Sequence, residues 1–398
     1  MKKSEKSASL TTWIKKLKSN VKDKIVLMSI FNHLVNPIKT SKALKQLKYW
    51  DKKDKSNDNS LTMINRKEWY KKCRTVIKSS VQFSDFSKTL AVIEAFYSDP
   101  LECVCGFNHM LSKDEVILLV TVKDNITRLE HFLKHYRKMG FSYFIFIDNG
   151  SVDGTFETLL GQNNIACYRT FVEYHATRKT GWYNRIVAHY GSDRWYAVVD
   201  SDELLAYPEM SQLPIQKYTQ ILNKRNCDFV RAILIDVYPD GLLMDENKSD
   251  EEYLESSIYF DSMKGIKAKH IKKGGMRNRL FIEEVKANPN KPVLLRFTRF
   301  FLVSSHIVFP RSVNYATSHG AVVLHYKFLP SDRKKYVQIA QDGNYYNSGE
   351  VYKIINEKFE DTPQINAMCE NSIRFDPDTA WEHLPFIVNF AEGWDKNE

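Results

Sequence analysis

The hydrophobic pattern of residues 113–330 alternates between short apolar runs and segments with helical spacing. Continuous apolar runs lie at residues 115–122, 143–147 and 195–199, as expected of strands covered on both faces. The helix predicted between the first two runs ends near Gly140 and carries its apolar residues at Leu129, Phe132, Leu133 and Tyr136. This β-α-β alternation predicts right-handed parallel units.

The same pattern continues through the middle of the chain. A turn at residues 149–154 leads to a short helix, a strand near residues 165–168 and a helix near residues 180–190. The fold class is therefore predicted as α/β, with a Rossmann-like, mostly parallel central sheet flanked by helices. Ligands of such sheets bind outside the carboxyl ends of the strands. The strand ends carry Asp124, Asp148 and Asp200.

The N-terminal region has a different pattern of apolar and polar residues, which predicts a basic amphipathic helix. The apolar positions at helical spacing are Leu10, Trp13, Ile14, Leu17, Val21, Ile25 and Met28. The lysines between them are Lys15, Lys16, Lys18, Lys22 and Lys24. Such a helix either lies on an anionic membrane surface or packs on its own protein, and the pattern leaves both open. A charged polar linker at residues 51–60 and a helical patch at residues 66–97 are predicted next.

The C-terminal region begins at Asp332. Helical patterns at residues 333–340 and 351–359 lead into the aromatic tail TAWEHLPFIVNFAEGW, which either packs against the central domain or contacts the acceptor substrate. The predicted organisation is a basic helical region at residues 1–110, a central α/β domain at 111–330 and a C-terminal helical region at 331–398.

Composition and charge narrow the class of protein. The chain of 398 residues is 43% hydrophobic, enough for a globular core. It shows neither an apolar run of membrane-spanning length nor the N-terminal pattern of a secretory signal, so we expect it in the cytoplasm. The net charge of +10 arises in residues 1–100, which hold 22 Lys and Arg against 9 Asp and Glu; the remainder holds 36 against 39. No aromatic-interleaved basic platform is present, so nucleic-acid binding is not expected.

The six cysteines are scattered, which favours reduced thiols over a disulfide framework. Cys103, Cys105 and His109 are close enough in sequence to suggest a zinc site. The C-x-C spacing is unusual for zinc, however, and no second pair follows. Ordinary buried thiols are therefore the preferred interpretation.

The stretch WYAVVDSDELL at residues 195–205 ends an apolar run in carboxylates. Asp200 and Asp202 stand two positions apart, which can turn both carboxylates to one side of the chain. Such a pair suits a hard divalent cation that also takes phosphate oxygens, although a lone D-x-D on a surface is common by chance. Because the strand delivers this pair to the ligand edge of the sheet, we predict a metal or diphosphate site.

A second polar element is DNGSVDGT at residues 148–155, where a strand end meets a tight turn and a helix start. Ser151 or Asp153 can cap the helix, and Gly150 suits the turn. These roles do not explain Asp148. A carboxylate at this strand end can accept hydrogen bonds from a ribose or a base.

The run VTVKDNITRLEHFLKHYRKMGFSYFIFIDNGSVDGT, followed by WYAVVDSDELL, resembles the nucleotide-binding half of family 2 type glycosyltransferases with the A-type fold. The resemblance is closest to the subgroup whose first strand ends in a K-N-E-like motif and whose metal motif reads D-x-D-E. It covers roughly residues 113–330. It implies a glycosyltransferase A-type fold for the central domain, with the basic helical region as an N-terminal extension.

The resemblance also implies roles for particular residues. It assigns nucleotide binding to Asp124, Asn125, Asp148 and Asp153, and binding of Mn²⁺ or Mg²⁺ on a nucleotide-sugar diphosphate to Asp200 and Asp202. Asp124 stands where many relatives have Asn, and Asn125 where they have Glu. Residues 178–184 lie where relatives place a helix beside the nucleotide. Asn184 is a candidate contact there, although the usual glutamine is missing.

Two later stretches fit this interpretation. GGMRNR at residues 274–279 carries Arg277 and Arg279, which can close over a diphosphate or an anionic acceptor; the alternative is a surface loop with solvated arginines. His325 interrupts the apolar run VVLHYKF. It resembles the late histidine that supplies a third metal ligand in A-type enzymes, although a lone strand histidine is more often a satisfied core residue. The lesser candidates are His319 and His306.

Family 2 members invert the anomeric carbon, so one carboxylate is expected to take the proton of the acceptor hydroxyl. The candidate base is Asp236, which ends the apolar run FVRAILID. An Asp before Tyr-Pro-Asp-Gly can also merely organise a turn. The rival candidates are Asp240, Asp261 and Glu203.

The sequence thus predicts a metal-dependent, inverting glycosyltransferase that moves a sugar from a nucleotide-diphosphate sugar to a glycan or lipid-linked acceptor in surface polysaccharide synthesis. It is expected in the cytoplasm, with peripheral attachment to the inner face of the membrane left open. One alternative is a sugar-nucleotide nucleotidyltransferase, which should show a Gly-rich phosphate loop directly after the first strand. The other is a non-catalytic glycan- or membrane-binding protein on a transferase scaffold, which should show a broken metal motif.

Overall fold

The structure is a computed structural model. It describes residues 21–57, 61–81, 83, 85–107, 111–266, 275–281, 289–315, 319–342 and 349–392, with side chains from residue 36 onward. The side chains of the predicted basic helix at residues 10–28 lie outside the described part, as does His109. No helix in the described part is long and apolar enough to span a membrane.

Nine strands form the central sheet: β1 (Glu102–Cys105), β2 (Ile117–Val122), β3 (Tyr143–Asp148), β4 (Ile165–Arg169), β5 (Trp195–Val198), β6 (Glu203–Ala206), β7 (Phe229–Asp236), β9 (Asn290–Arg296) and β12 (Ala321–His325). Their spatial order is β1-β4-β3-β2-β5-β9-β7-β12-β6. Six of them run in one direction, whereas β1, β6 and β9 run against it. The sheet is thus mixed but mostly parallel, which confirms the predicted α/β class.

The helices are α1 (Val21–Lys55), α2 (Arg66–Ser80), α3 (Phe86–Ser98), α4 (Ile126–Lys138), α5 (Thr155–Leu160), α6 (Ala176–Tyr190), α7 (Ile215–Lys224), α8 (Asp250–Ser256), α9 (Met276–Leu280), α10 (Asp332–Asp342) and α11 (Glu350–Asp361). The short strands β8 (Tyr259–Asp261) and β13 (Ser372–Arg374) pair with each other, as do β10 (Phe301–Ser304) and β11 (Ile307–Phe309).

The linker predicted at residues 51–60 is wrong in its first half, because helix α1 continues to Lys55. The polar residues in the last turn of α1 do not form a solvent-exposed linker. Asp51 accepts a hydrogen bond from Arg66 Nε at 3.0 Å, and Asp54 pairs with Arg185 at 2.9 Å. These buried carboxylates tie the end of α1 to α2 and α6.

The helices cover both faces of the sheet because the buried strands alternate their side chains between two cores. Leu118 and Val120 of β2 join a core with α4, α5 and α7. Ile117 and Leu119 join the opposite core, which α1, α2, α3 and α6 complete. The N-terminal helices are therefore a layer of the same folded unit as the sheet.

The C-terminal helices α10 and α11 share a third apolar cluster with Tyr238 and Tyr253. The aromatic tail packs against the core on the α4 face through Trp381, Phe386, Ile387 and Phe390. Of the two roles predicted for this tail, the structure supports packing against the central domain.

Candidate functional site

Polar side chains converge where strands β3, β5, β7 and β12 end. The register pairs Asp236 at the end of β7 with His325 at the end of β12, and His325 in turn with Glu203 at the start of β6. The D-x-D pair follows β5, as the sequence predicts. Residues far apart in the chain therefore meet at one edge because the sheet order brings their strands together.

Asp200 is neutralised by two lysines of the same chain. Lys179 Nζ of α6 lies 2.8 Å from Oδ1 and Lys291 Nζ of β9 lies 3.1 Å from Oδ2. Lys291 also pairs with Glu203, whose Oε2 accepts the Asp200 backbone N–H at 2.7 Å. Burial opposes the charged form of Asp200, but the two ammonium groups outweigh it and hold the pKa of Asp200 well below its usual range.

Asp202 faces a different partner. Its Oδ2 lies 3.2 Å from Nε2 of His325, and Nδ1 of His325 lies 2.7 Å from Oδ1 of Asp236. Arg277 donates to both oxygens of Asp236 at 2.9 and 2.7 Å. These four side chains form a continuous relay from the D-x-D loop to helix α9.

Electrostatics in this relay favour the charged forms. Burial disfavours a protonated His325, but the carboxylates of Asp202 and Asp236 outweigh it and raise the pKa of His325 above its usual value. Burial likewise disfavours the Asp236 carboxylate, but Arg277 and His325 hold its pKa well below the usual range. Asp202 also keeps a lowered pKa despite burial, chiefly because of His325.

The predicted nucleotide-binding acids have local structural partners. Asp148 is fully buried and accepts the backbone N–H groups of Gly150 at 3.0 Å and Ser151 at 3.2 Å. Asp124 accepts the N–H of Val152 at 2.8 Å. Asp153 accepts the N–H of Ile126 at 2.9 Å, which ties its loop to the start of α4. These bonds hold the loops after β2 and β3 in place. Asp148 therefore organises the turn that follows it, a role that the sequence interpretation did not assign to it.

Asn125 connects this edge with the D-x-D loop. It is buried, and its side-chain amide donates to the carbonyl of Ser201 at 3.4 Å. Its backbone N–H donates to Thr155 Oγ1 at 2.9 Å. Asn125 therefore holds the two candidate ligand loops together.

Several candidates lie away from this relay. Asn184 is buried and exchanges hydrogen bonds with the backbone of Leu302 on β10, at 2.9 and 3.1 Å. Arg279 donates to both carboxylate oxygens of Asp261, at 3.0 and 2.9 Å. Asp261, a rival candidate for the base, is therefore engaged by this arginine. His306 and His319 both contact Asn290 of β9, at 2.8 and 2.6 Å.

The sequence interpretation missed four charged residues. Arg128 and Asp332 form a buried ion pair that joins α4 to α10. Lys291 pairs with Asp200, as described above. Lys327 donates to the Tyr352 hydroxyl at 3.1 Å, and burial, with help from Arg277, lowers its pKa to about 8. For the two lysines, the available signal was a charged residue beside an apolar run, as in NKPVLLRF and VVLHYKF.

The proposed zinc cysteines give no centre in the described part of the chain. Both are free thiols on edge strand β1, but Cys103 is exposed and Cys105 half-buried, so the expectation of buried thiols is wrong for Cys103. No group of three or more His, Cys, Asp or Glu side chains among the described residues is arranged to hold a metal ion unaided.

No family model matches the chain, and no curated protein matches it. The described residues define an α/β protein with a large mixed, mostly parallel sheet flanked by helices, compatible with a Rossmann-like fold. The polar side chains around Asp202 and His325 lie at the edge where the parallel strands end, the usual ligand position in such sheets.

Proposed function

We propose that the protein is a glycosyltransferase of the A-type fold that transfers a sugar from a nucleotide-diphosphate sugar, with inversion, to a glycan or lipid-linked acceptor. The observation that carries the proposal is the pair of Asp202 and His325 at the carboxyl edge of the sheet. They are two of the three side chains that the resemblance assigns to the metal, the third being Asp200. They come from segments 123 residues apart, and the fold brings their polar atoms within 3.2 Å.

The pair fits Mn²⁺ or Mg²⁺. Asp202 Oδ2 and His325 Nε2 lie 3.2 Å apart, so a carboxylate oxygen and an imidazole nitrogen could hold one divalent ion together. Nδ1 of His325 faces Asp236, and such a carboxylate commonly orients a metal-bound histidine. Asp202 and His325 would hold the ion beside the diphosphate of the donor. The bound ion would neutralise charge that develops on the leaving nucleoside diphosphate.

The chain's own residues refine the expected roles. Both oxygens of Asp200 are held by lysines, so we assign the metal to Asp202 and His325 and give Asp200 the role of positioning Lys179 and Lys291. Both oxygens of Asp236 are bound by Arg277, and its pKa is lowered. That environment argues against Asp236 as the base and favours a positioning role for it toward His325.

The cellular setting is part of the same proposal. Surface polysaccharide synthesis, of the capsule or lipopolysaccharide kind, would place the enzyme at the cytoplasmic face of the membrane. Peripheral attachment would come from the basic amphipathic segment at residues 10–28, whose lysines suit anionic headgroups.

A donor screen tests the function. The purified protein is incubated with a panel of nucleotide sugars and Mn²⁺, and release of nucleoside diphosphate is measured. We expect release with one donor and a loss of about 100-fold or more in Asp202→Ala, because a ligand of the ion is removed. The matched control is Asp361→Ala, an exposed carboxylate at the end of α11, which should release at the wild-type rate.

The outcomes separate the competing classes. Release that is unaffected by Asp202→Ala, or no release with any donor, rejects the proposal. Release of pyrophosphate from a nucleoside triphosphate and a sugar phosphate would instead identify a nucleotidyltransferase. Binding of a glycan without turnover of any donor would identify a non-catalytic scaffold.

A further inference from the structure

An open groove of about 900 Å³ lies between helices α1 and α2, and none of the residues that line it belongs to the candidate site around Asp202. Leu44 and Tyr70 contribute its less polar lining. Four cationic side chains also line it: Lys45, Lys48, Arg74 and Lys78. Among the described residues that line the groove there is no carboxylate.

The two acids at the end of α1 do not neutralise this groove. Asp51 and Asp54, on the following turn of α1, are engaged by Arg66 and Arg185 on the core side. None of the four groove cations forms an ion pair with another described residue. The concentrated positive charge therefore faces solvent, where it favours an anionic ligand.

The outward face of α1 also carries apolar side chains. Ile38 is 60% exposed and Tyr49 is 62% exposed. Positions 38, 45 and 49 are separated by seven and four residues, which places Ile38 and Tyr49 on the same helix face as Lys45. A freely soluble anion would gain nothing from these two side chains, whereas a lipid surface takes both the charge and the apolar contacts.

We propose that this groove binds the phosphate-bearing headgroup of an anionic lipid, with Ile38 and Tyr49 at the membrane interface. Clustered lysines and arginines bind anionic headgroups, and aromatic side chains prefer the interface. The groove is formed by residues 36–78, so it is distinct from the segment at residues 10–28. It does not rest on the transfer reaction, and its failure would leave the donor screen unaffected.

Vesicle flotation of the full-length protein tests the proposal, with phosphatidylcholine vesicles that contain or lack phosphatidylglycerol. We expect Lys48→Gln/Arg74→Gln to weaken binding to the anionic vesicles by roughly tenfold or more. Lys45→Gln/Lys78→Gln removes the other two groove cations and should weaken binding to the anionic vesicles by a similar factor. The matched control Lys134→Gln/Lys138→Gln removes two exposed cations from α4 and should bind as wild type does. Point variants are required because α1, α2 and α3 are part of the core, which removal of residues 1–110 would open.

A second arm distinguishes a lipid surface from a free anion. Ile38→Ser/Tyr49→Ser should weaken vesicle binding and leave binding of inorganic phosphate unchanged. Equal losses in the groove and control cation pairs would overturn the proposal, because bulk charge would then explain attachment. Full vesicle binding by Ile38→Ser/Tyr49→Ser, together with competition by inorganic phosphate, would also overturn it in favour of a free-anion site.

Discussion

Two hypotheses about Asp236 make different predictions: that it is the catalytic base, and that it positions His325. It lies between His325 and Arg277, with contacts of 2.7 Å to each. A base needs a free oxygen near the reacting hydroxyl and a pKa close to the working pH. A residue that orients a metal ligand needs neither of these.

We expect Asp236→Asn to weaken Mn²⁺ binding in the presence of nucleoside diphosphate by about 10- to 100-fold, because His325 loses the carboxylate that orients it. Titration calorimetry measures the affinity, and the pH dependence of kcat is recorded in parallel. The control is Asp261→Asn, which removes the partner of Arg279 outside the relay. Unchanged Mn²⁺ affinity with loss of the acidic limb of the pH profile would restore Asp236 as the base.

The individual acids of the site were predictable, but their partners were not. Asp200 and Asp202 stand at the end of a continuous apolar run, and that position in a parallel sheet points to ligands. Lys291 reaches Asp200 because β9 is inserted beside β5 against the direction of the parallel strands. No local pattern of charge or hydrophobicity encodes that neighbour.

At the scale of elements, Gly181 lies where helix α6 packs tightly against helix α3. A methyl group at this position of α6 would stand 2.7 Å from Val92 O and 2.9 Å from Phe96 N, both backbone atoms of α3. Backbone atoms cannot yield as the end of a flexible side chain can. The glycine therefore sets how closely α3 approaches α6.

We expect Gly181→Ala to lower the free energy of unfolding by about 1–3 kcal/mol, because the overpacking exceeds the roughly 1 kcal/mol that alanine gains in helix propensity. Urea unfolding followed by circular dichroism measures the change. Gly161→Ala is the control, because its added methyl group would meet Thr158 O at an ordinary 3.6 Å. Equal stability of the two variants would mean that α3 and α6 are not in fixed contact.

The strongly periodic elements were predicted to within a few residues. The run at residues 143–147 is strand Tyr143–Asp148, and the patch at residues 66–97 is two helices rather than one. The error at residues 51–55 has a physical cause. Asp51 and Asp54 resemble a polar linker in sequence, yet Arg66 and Arg185 come from other helices to pair with them.

At the scale of the whole molecule, the N-terminal and central regions share one core on the α6 face of the sheet. Two half-buried histidines lie against the sheet in different layers. His135 Nε2 donates to the Leu205 carbonyl at 2.8 Å beneath α4, and His306 Nδ1 donates to the Asn290 carbonyl at 2.8 Å near β11. Burial lowers the pKa of each to about 4, so both are neutral in the folded state at pH 7.

These histidines should make the fold sensitive to acid. In the unfolded chain both titrate near the ordinary pKa of about 6.5, so the unfolded state gains protons first as the pH falls, and stability is lost between about pH 6.5 and pH 4. His135→Gln and His306→Asn each keep an N–H donor for the carbonyl that the histidine contacts. We expect each variant to reduce the loss of unfolding free energy between pH 7 and pH 5 by about 1–2 kcal/mol. His325 has the opposite effect on acid stability, because Asp202 and Asp236 outweigh its burial and raise its pKa. The test therefore compares the pH dependence of the unfolding free energy in each variant with that of the wild type. Urea midpoints at three pH values give these slopes, and variants with the wild-type slope would show that folding does not lower the pKa of either histidine.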